Sequence, residues 1–523
     1  MARPHLVNAP LRASRHDLSG LLPCLTTAEG QPIDLSFMYT CHSISDDTKH
    51  LPFASNNISF STLFSPELRA WAGRHQSLSQ FLCILKADLI CLLQGPKMSP
   101  ELETALEGKF SHLMPNLKDC LESIYRNYFK NDPTVLGGCA FRYREESRHG
   151  SEIIKDWDDR QVRVWGKNVS MVREAIAFSL RFLGEYQGPK LASLLNEAFP
   201  GWKASHDLQD LLDLTLDPWD IPSKAVLTRI GSLLGDHAVW RRLKGWNHGV
   251  RAKYRFSATA VAIRFFRQLS VEQRRHLRGV TLIEDEYAVC SPSTHAMGLI
   301  EFCKDNPRLR IQRHLKLCRR VPAIFHPCWD MHGYSTVAKP HSQRNNGGQD
   351  IVPEFAVEGI NIWLEEAITL PDAGMPRNSY TLCFDGEPDK SFFSDIFQNI
   401  LLRQDALIQA SQKLLGMRPH QLDVSRSLPY HRWQSSHLSK AVKYLIDHHS
   451  DSIDSFPLIC SNFRPGRPFD VESFIQERLE WTSWEWFGDE WRLSFHLRQC
   501  PSAFGSWNDN LESYYEFQKQ VES

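Results

Sequence analysis

The stretch from Tyr254 to Asp285 carries the clearest local folding signal in this chain. It opens with a strand-like piece, and Ser257, a residue type that caps helix N-termini, follows. A helix is predicted next from the spacing of Val261, Ile263, Phe265, Phe266 and Leu269. A second short helix is predicted from Ser270, and a buried strand from Val280, Leu282 and Ile283. Such a succession favours short strands joined by helices.

The length of 523 residues exceeds one ordinary hydrophobic core, so two or three packed subdomains are expected. Hydrophobic residues make up 42% of the chain and charged residues 23%, as in ordinary globular proteins. The 15 Trp and 29 Phe supply a large core. The predicted fold class is α+β, helix-dominated, with one or two small mixed sheets. The expected strands lie near Ile58, Tyr254, Val280, Ile360 and Tyr380. Helices are also expected to restart after a break at Gly73, to begin at the N-cap residue Ser291, and to end the chain near Leu511–Val521.

Four regions are expected along the chain. Residues 1–32 form a loose lead-in, and residues 33–150 an N-terminal region of helices and a strand. Residues 151–330 form a central helical region that contains the helix–strand unit 254–285. Residues 331–523 form a C-terminal α+β region, whose polar loop 342–349 is predicted to be mobile.

The charge balance disfavours a nucleic-acid-binding protein, because the net charge is −1 and the isoelectric point is about 7.1. A strongly basic run nevertheless extends from Arg308 to Arg320. If the run is a helix, it could form one positive face with Arg274, Arg275 and Arg278. If it is a strand, alternate side chains point to opposite sides and the patch is divided. Solvated surface or internal salt bridges are the favoured interpretation.

The 13 cysteines are scattered singly, which favours reduced thiols in an intracellular protein, cytoplasmic or nuclear. The N-terminal residues lack a secretory apolar segment and resemble a transit peptide only faintly. The most apolar window, Phe81–Leu93, contains Lys86 and Asp88. A buried helix is therefore expected there rather than a membrane span, and no membrane association is predicted.

One cluster has the residue types of a zinc site: Cys318, His326, Cys328 and His332, with Asp330 as an outer-shell partner. The spacing C-x7-H-x-C-x3-H fits no standard zinc finger or ribbon. Buried thiols and ordinary histidines are the favoured interpretation, so no metal and no cofactor are predicted.

A second cluster has the residue types of an acid–base site: Glu284, Asp285, Glu286 and His295. The first three follow the strand expected at Val280, where a loop could place them in a crevice. The favoured interpretation is an acidic loop that neutralises Arg274, Arg275 and Arg278. The G-x-S-x-G, P-loop and G-x-G-x-x-G patterns are all absent from the sequence, and no catalytic residue is assigned.

Two pieces of the chain, Tyr39–Gly73 and Tyr254–Asp285, resemble the fungal F-box-like proteins that include the domain named for two Glu-x-Arg repeats. The first piece matches at Thr40, Cys41, His42, Ile44, Leu51, Pro52, Phe53, Asn57, Ile58 and Phe60. The second matches at Phe265, Phe266, Gln268, Leu269, Arg274, Arg275, Leu277, Arg278, Val280 and Leu282. The leading helix of that family is absent here, and Leu22-Pro23-Cys24 is its only remnant. The matching positions are structural, so the resemblance implies no active site.

The resemblance implies an F-box-like character for residues 33–150 and a role in substrate recognition. We therefore expect a non-enzymatic protein-interaction or scaffold protein that binds other proteins, among them a ubiquitin-ligase adaptor. The alternative is an enzyme or zinc-binding protein of unrecognised type. The tail tryptophans Trp481, Trp484, Trp486 and Trp491 could form a partner surface, although a plain core explains them equally well.

Overall fold

The computed structural model describes residues 50–95, 97–114, 117–118, 169–199, 202–234, 250–319, 350–351, 353–417, 436–449, 456–481, 485, 498–499, 501–505 and 512–517. Among these residues 63% are helical, and the strands form a five-stranded sheet and two small two-stranded sheets. The predicted helix-dominated α+β class is confirmed. The predicted mobile loop 342–349 lies outside the described residues.

The strands of the described chain are β1 Asn57–Ser61, β2 Val250–Ala252, β3 Gly279–Glu284, β4 Arg310–Lys316, β5 Asp350–Ile351, β6 Tyr380–Asp385, β7 Ile459–Ser461, β8 Arg498–Gln499 and β9 Tyr515–Phe517. Its α-helices are α1 Leu51–Ala54, α2 Pro66–Gln94, α3 Pro100–Phe110, α4 Val169–Ala198, α5 Trp202–Ser205, α6 Leu208–Leu212, α7 Lys224–Leu234, α8 Ala258–Gln268, α9 Val271–His276, α10 Ile300–Asp305, α11 Pro353–Thr369, α12 Lys390–Ile396, α13 Leu402–Met417, α14 Ser436–Asp447 and α15 Val471–Glu477. Three 3-10 helices (Ser111–Leu113, Pro292–Leu299 and Ser502–Phe504) and a π-helical turn (Phe397–Leu401) complete the set.

The main sheet has the order β1-β3-β4-β6-β7, and every neighbouring pair is parallel. Each of these strands therefore lies beside the next one along the chain. Because β-crossover-β connections are right-handed, crossovers that all step in one direction place their helices on one face of the sheet. β2 pairs with β9, and β5 with β8, in the two small antiparallel sheets.

Burial alternates along β3 and β4, in keeping with a sheet covered by its crossovers on one face, whereas β6 is buried at five of its six residues, Thr381 included. In β3, Val280 and Leu282 are buried, while the residues that follow each of them, Thr281 and Ile283, are half-buried. The second face, called the polar face below, consists of two rows of residues in register: Ser59, Thr281, Gln312 and Thr381, then Ser61, Ile283, His314, Cys383 and Cys460. Parallel sheets usually bury both faces and have near-continuous apolar strands, so this alternation is unusual.

The helices and the second strand of the unit at residues 254–285 form as its sequence predicts, but the strand expected at Tyr254 does not, because Phe256 makes only an isolated bridge to Leu63. The Ser257 hydroxyl caps α8 by accepting from the Ala260 N–H at 3.0 Å, and Ser270 forms a capping box with Gln273 at the start of α9. The predicted buried strand is β3. The residues of α8 pack on β1 through the Phe60 ring, whose centroid lies 5.5 Å from that of Phe265. The two segments that carry the F-box-like resemblance thus meet in one β–α–β layer.

A second hydrophobic cluster is built mainly from the helices α2, α3, α4 and α7, with residues of α5, α6 and the loop after α6. The helix α2 is the one helix of the described chain that is long and apolar enough to cross a membrane, and 82% of its apolar window is buried inside the protein. A helix break was predicted after Gly73, but α2 continues through it. The Tyr254 ring packs so closely on Gly73 that an added Cβ would lie 2.7 Å from its Cδ2.

Three further element predictions are wrong. The segment Ile360–Leu370 was expected to be a strand but belongs to α11, since Ile360, Trp363, Leu364 and Ala367 are buried at helical spacing. Of the final helix expected near Leu511–Val521, residues 512–514 are helical, but Tyr515–Phe517 form the strand β9. Ser291, expected as an N-cap, has a left-handed backbone and makes no side-chain capping bond.

Candidate functional site

Glu284, the first residue of the predicted acid–base cluster, is fully buried at the end of β3. Its carboxylate accepts from the Thr259 hydroxyl at 2.9 Å and from the Ala258 and Thr259 backbone N–H groups at 3.3 Å. Those donors belong to the N-terminus of α8, where the helix dipole favours a negative charge. The carboxylate therefore ties β3 to α8.

Arg313 supplies the charge that balances Glu284. Its Nε and Nη2 donate to Glu284 Oε1 at 3.0 and 2.6 Å, and both side chains are 0% exposed. Nη2 also donates to the Pro292 carbonyl at 2.7 Å, and the guanidinium lies 4.5 Å from the centre of the Trp363 ring. The idea that Glu284 neutralises the α9 arginines is wrong, because its partner is the buried Arg313 of β4.

His295 lies in the same buried region and contacts Ser257, a pairing that could suggest a nucleophile and its base. Ser257 Oγ and His295 Nδ1 are 2.6 Å apart, and His295 Nε2 lies 2.9 Å from the Cys290 carbonyl. Burial first, and then Arg313, lowers the pKa of His295 to about 3. A neutral imidazole that donates Nε2–H to a carbonyl and accepts from Ser257 satisfies both ring nitrogens. With Ser257 0% and His295 1% exposed, the pair is inaccessible to a substrate.

The other two acidic candidates point elsewhere. Asp285 accepts from the Thr62 hydroxyl and from the Thr62 backbone N–H. Glu286 accepts from the Ser513 hydroxyl at 2.6 Å. The structure thus brings Glu284 and His295 together around Arg313 and assigns Asp285 and Glu286 to separate chain-joining contacts.

The basic run divides between the two faces of the sheet, because it forms β4. Arg313 points into the core, whereas Arg310 donates to the Pro307 carbonyl at 2.8 Å on the other side. In α9, Arg274 donates to the Leu269 carbonyl at 3.2 Å and lies 3.7 Å from Asp305. These contacts hold several of the basic side chains within the fold.

Of the zinc candidates, only Cys318 lies among the described residues, where it is half-buried. Burial raises the pKa of its thiol, which opposes the thiolate form that binds a metal. His326, Cys328 and His332 lie outside the described residues. Within the described part of the chain, no three His, Cys, Asp or Glu side chains are grouped as a metal site would require.

A polar group that the sequence did not reveal lies at the carboxyl edge of the sheet. Lys316, at the end of β4, forms an ion pair with Asp385 at the end of β6. Asp385 also accepts from Asn462, just after β7, at 2.7 Å. Burial would raise the pKa of Asp385, but hydrogen bonds from Lys316, Glu387 and Asn462 outweigh it and lower that pKa. In the sequence, each of these polar residues stands at or just after the end of a strand. That position predicts a shared site only once the strands are known to be parallel.

The polar face of the main sheet carries a second set of polar side chains. Asn57 Nδ2 donates to Thr281 Oγ1 at 2.7 Å across β1 and β3. Gln312 is exposed on the central strand β4, and His314 beside it is half-buried. Burial lowers the pKa of His314, which favours its neutral form near neutral pH.

The residues that carry the F-box-like resemblance are only partly within the described chain. Thr40, Cys41, His42 and Ile44 lie outside it, and the remaining positions fall in α1, β1, α8, α9 and β3. No protein-family model, no curated protein and no solved structure matches this chain.

Proposed function

We propose that this chain is a non-enzymatic protein-interaction component and that the polar face of its main sheet is the recognition surface. The observation that carries the proposal is the exposure of Gln312 on the central strand of a sheet whose opposite face holds the core. The second row, from Ser61 to Cys460, crosses five strands at about 4.8 Å spacing, is half-buried at every position and is about 19 Å long. Such a row matches the surface of a folded protein or an extended peptide better than a small molecule, whose sites are concave.

The state of the acid–base candidates supports binding over catalysis. A general acid or base must reach a substrate proton within hydrogen-bond distance. Glu284 and His295 are instead buried and bonded to Arg313, Ser257 and backbone groups. Their contacts account for their presence as parts of the core.

The nature of the partners follows from the F-box-like resemblance. In this proposal the polar face holds a protein to be recognised, and a separate part of the chain contacts a ubiquitin-ligase adaptor, in the cytoplasm or nucleus. Polar, hydrogen-bonding side chains on rigid strands provide specificity at modest affinity. The near-neutral charge balance of the chain disfavours nucleic acid, whose phosphates require a basic patch.

The test is quantitative affinity purification of the tagged full-length chain from its native cell, with mass spectrometry and metal analysis of the same sample. Gln312→Arg places a long charged side chain at the centre of the polar face. Gln209→Arg makes the same change at an exposed residue of α6, far from the sheet in sequence and outside its core cluster. Both variants are first checked for wild-type unfolding curves.

We expect Gln312→Arg to reduce recovery of at least one partner about tenfold, equivalent to roughly 1.4 kcal/mol of binding free energy. Gln209→Arg should recover that partner as well as the wild type does, and both variants should keep a ubiquitin-ligase adaptor. Equal recovery of every partner by both variants would remove the polar face from the proposal. Stoichiometric zinc without a partner would favour the metal-binding alternative.

A further inference from the structure

Two cysteines face each other across the last two strands of the main sheet. Cys383 of β6 and Cys460 of β7 are partners in the parallel register, and their Sγ atoms are 2.8 Å apart. Register partners on adjacent parallel strands point to the same face, about 4.8 Å apart along the hydrogen-bonding direction. That spacing falls within the range of about 4.4–6.8 Å between Cα atoms that a disulfide requires. The backbone is therefore already placed for a bond between the two sulfurs.

The pair is also open to reagents from solution. Both residues are free thiols and half-buried, whereas Cys91, Cys290 and Cys303 are buried. Oxidation of cysteine depends on access as well as on thiolate character. Among the described cysteines, Cys383 and Cys460 combine partial exposure with a neighbouring thiol.

The hydrogen bond between the thiols gives them different roles. The hydrogen bond with Cys383 lowers the pKa of Cys460 against the opposing effect of burial. The same bond, with burial second, raises the pKa of Cys383. The opposite directions of the two pKa shifts favour Cys460 as the thiol that ionises and attacks first, and Cys383 as the thiol that resolves the product.

We propose that Cys383 and Cys460 are a reversible oxidation site that forms a disulfide across β6 and β7 when the protein meets a peroxide. The Cys460 thiolate attacks hydrogen peroxide, the O–O bond breaks, and Cys460 becomes a sulfenic acid while hydroxide takes up a proton and leaves as water. The Cys383 sulfur then attacks the Cys460 sulfur, the S–O bond breaks, and a second water leaves with the thiol proton. Two thiols lose two electrons in total, and one peroxide is reduced to two waters.

The bond would link strands whose cysteines are 77 positions apart in the chain. Cross-linking a long loop restricts the unfolded chain and so stabilises the folded one. The site lies in the row of the polar face that also contains His314, so oxidation changes the chemistry of that face from two thiol donors to a disulfide. The proposal rests on the cysteine geometry and is independent of the recognition role.

The test uses the reduced full-length protein, treated with hydrogen peroxide, blocked with an alkylating reagent and digested for mass spectrometry. In the wild type we expect a peptide joined through Cys383 and Cys460 that dithiothreitol separates. Cys383→Ser should accumulate a sulfenic acid at Cys460 that dimedone labels, and Cys460→Ser should give at least about tenfold less label at Cys383. Cys318→Ser, which removes another half-buried thiol, should form the same joined peptide as the wild type.

The wild-type mapping needs no variant, so it decides the proposal even if a serine variant fails to fold. Two outcomes would overturn it. One is that both thiols remain reduced after peroxide treatment, so that both are alkylated once urea unfolds the protein. The other is that oxidised Cys460 joins a different cysteine. A higher urea midpoint for the oxidised wild type, reversed by dithiothreitol, is the expected companion result.

Discussion

Removing one member of the Glu284–Arg313 pair should destabilise the protein more than removing both charges. Arg313→Met deletes donors that lie 3.0 and 2.6 Å from Glu284 Oε1 and leaves the carboxylate with the Thr259 hydroxyl and two backbone N–H groups. Loss of one partner from a buried ion pair costs about 3–5 kcal/mol. The contact with the Trp363 ring contributes up to about 2 kcal/mol of interaction and is lost as well. We expect Arg313→Met to lower the free energy of unfolding by about 3–5 kcal/mol.

The second change, Glu284→Gln, removes the buried negative charge that Arg313→Met leaves without a cationic partner. The amide oxygen still accepts from the N-terminus of α8, so the hydrogen-bonding loss is small. We therefore expect the double variant to lose only about 1–3 kcal/mol of the free energy of unfolding, although two charged residues have been replaced. The single variant Glu284→Gln instead leaves the buried guanidinium of Arg313 without its carboxylate. It should lower the free energy of unfolding as much as Arg313→Met does, by about 3–5 kcal/mol.

The assay is urea unfolding near neutral pH for the wild type, the two single variants and the double variant. A matched surface control is Lys413→Met, whose ion pair with Glu472 has side chains 52% and 67% exposed and should contribute less than about 1 kcal/mol. If the two single losses add to the double loss within about 0.5 kcal/mol, the charges are not coupled and the reasoning fails. Midpoints are compared only between variants whose unfolding slopes agree with the wild type.

Two further predictions concern pH and packing. The folded pKa of His295, about 3, lies below the unfolded value of 6.5, so the unfolded chain takes up the proton first. This part of the stability is complete above about pH 6.5 and is lost as the pH falls toward 3, by about 1.4 kcal/mol per pH unit. His295→Asn should flatten that fall in urea midpoints, and an unchanged slope would contradict it. Gly298→Ala should cost about 1–3 kcal/mol in the same assay, because its Cβ would lie 2.2 Å from Trp219 Cδ1. Gly108→Ala, where no atom lies within 4 Å of the added Cβ in the last turn of α3, should instead gain up to about 0.5–1 kcal/mol, and similar effects at both glycines would refute the packing argument.

Local signals in the sequence predicted local structure well. Ser257 and Ser270 cap the helices that their positions indicated, because a cap depends on residues three positions away. The strands β1, β3 and β6 were recognised near Ile58, Val280 and Tyr380. Apolar content alone misled at Ile360–Leu370, where the spacing of buried residues was helical. The spacing of the apolar residues was a better guide to the structure there than their hydrophobicity.

The buried ion pair was missed although its signal was present. Arg313 lies between Ile311 and Leu315 at strand spacing, so a strand assignment would have placed it on the buried side. Glu284 follows Val280 and Leu282 in the same way. Two opposite charges at buried positions of two strands predict a pair. Contacts such as Lys316 with Asp385 could not be predicted, because they depend on the register between strands that are distant in sequence.

The position of β1 has a consequence for how the protein is made. The bond between Asn57 and Thr281 joins residues 224 positions apart, so β1 is translated long before β3, the strand that pairs with it in the described sheet. At about 5–20 residues per second, roughly 10–45 seconds of synthesis separate the two. During that interval the nascent chain carries Ile58 and Phe60 without the sheet that later buries them. Ribosome-associated chaperones should therefore bind the growing chain over this interval and leave once residue 284 has emerged.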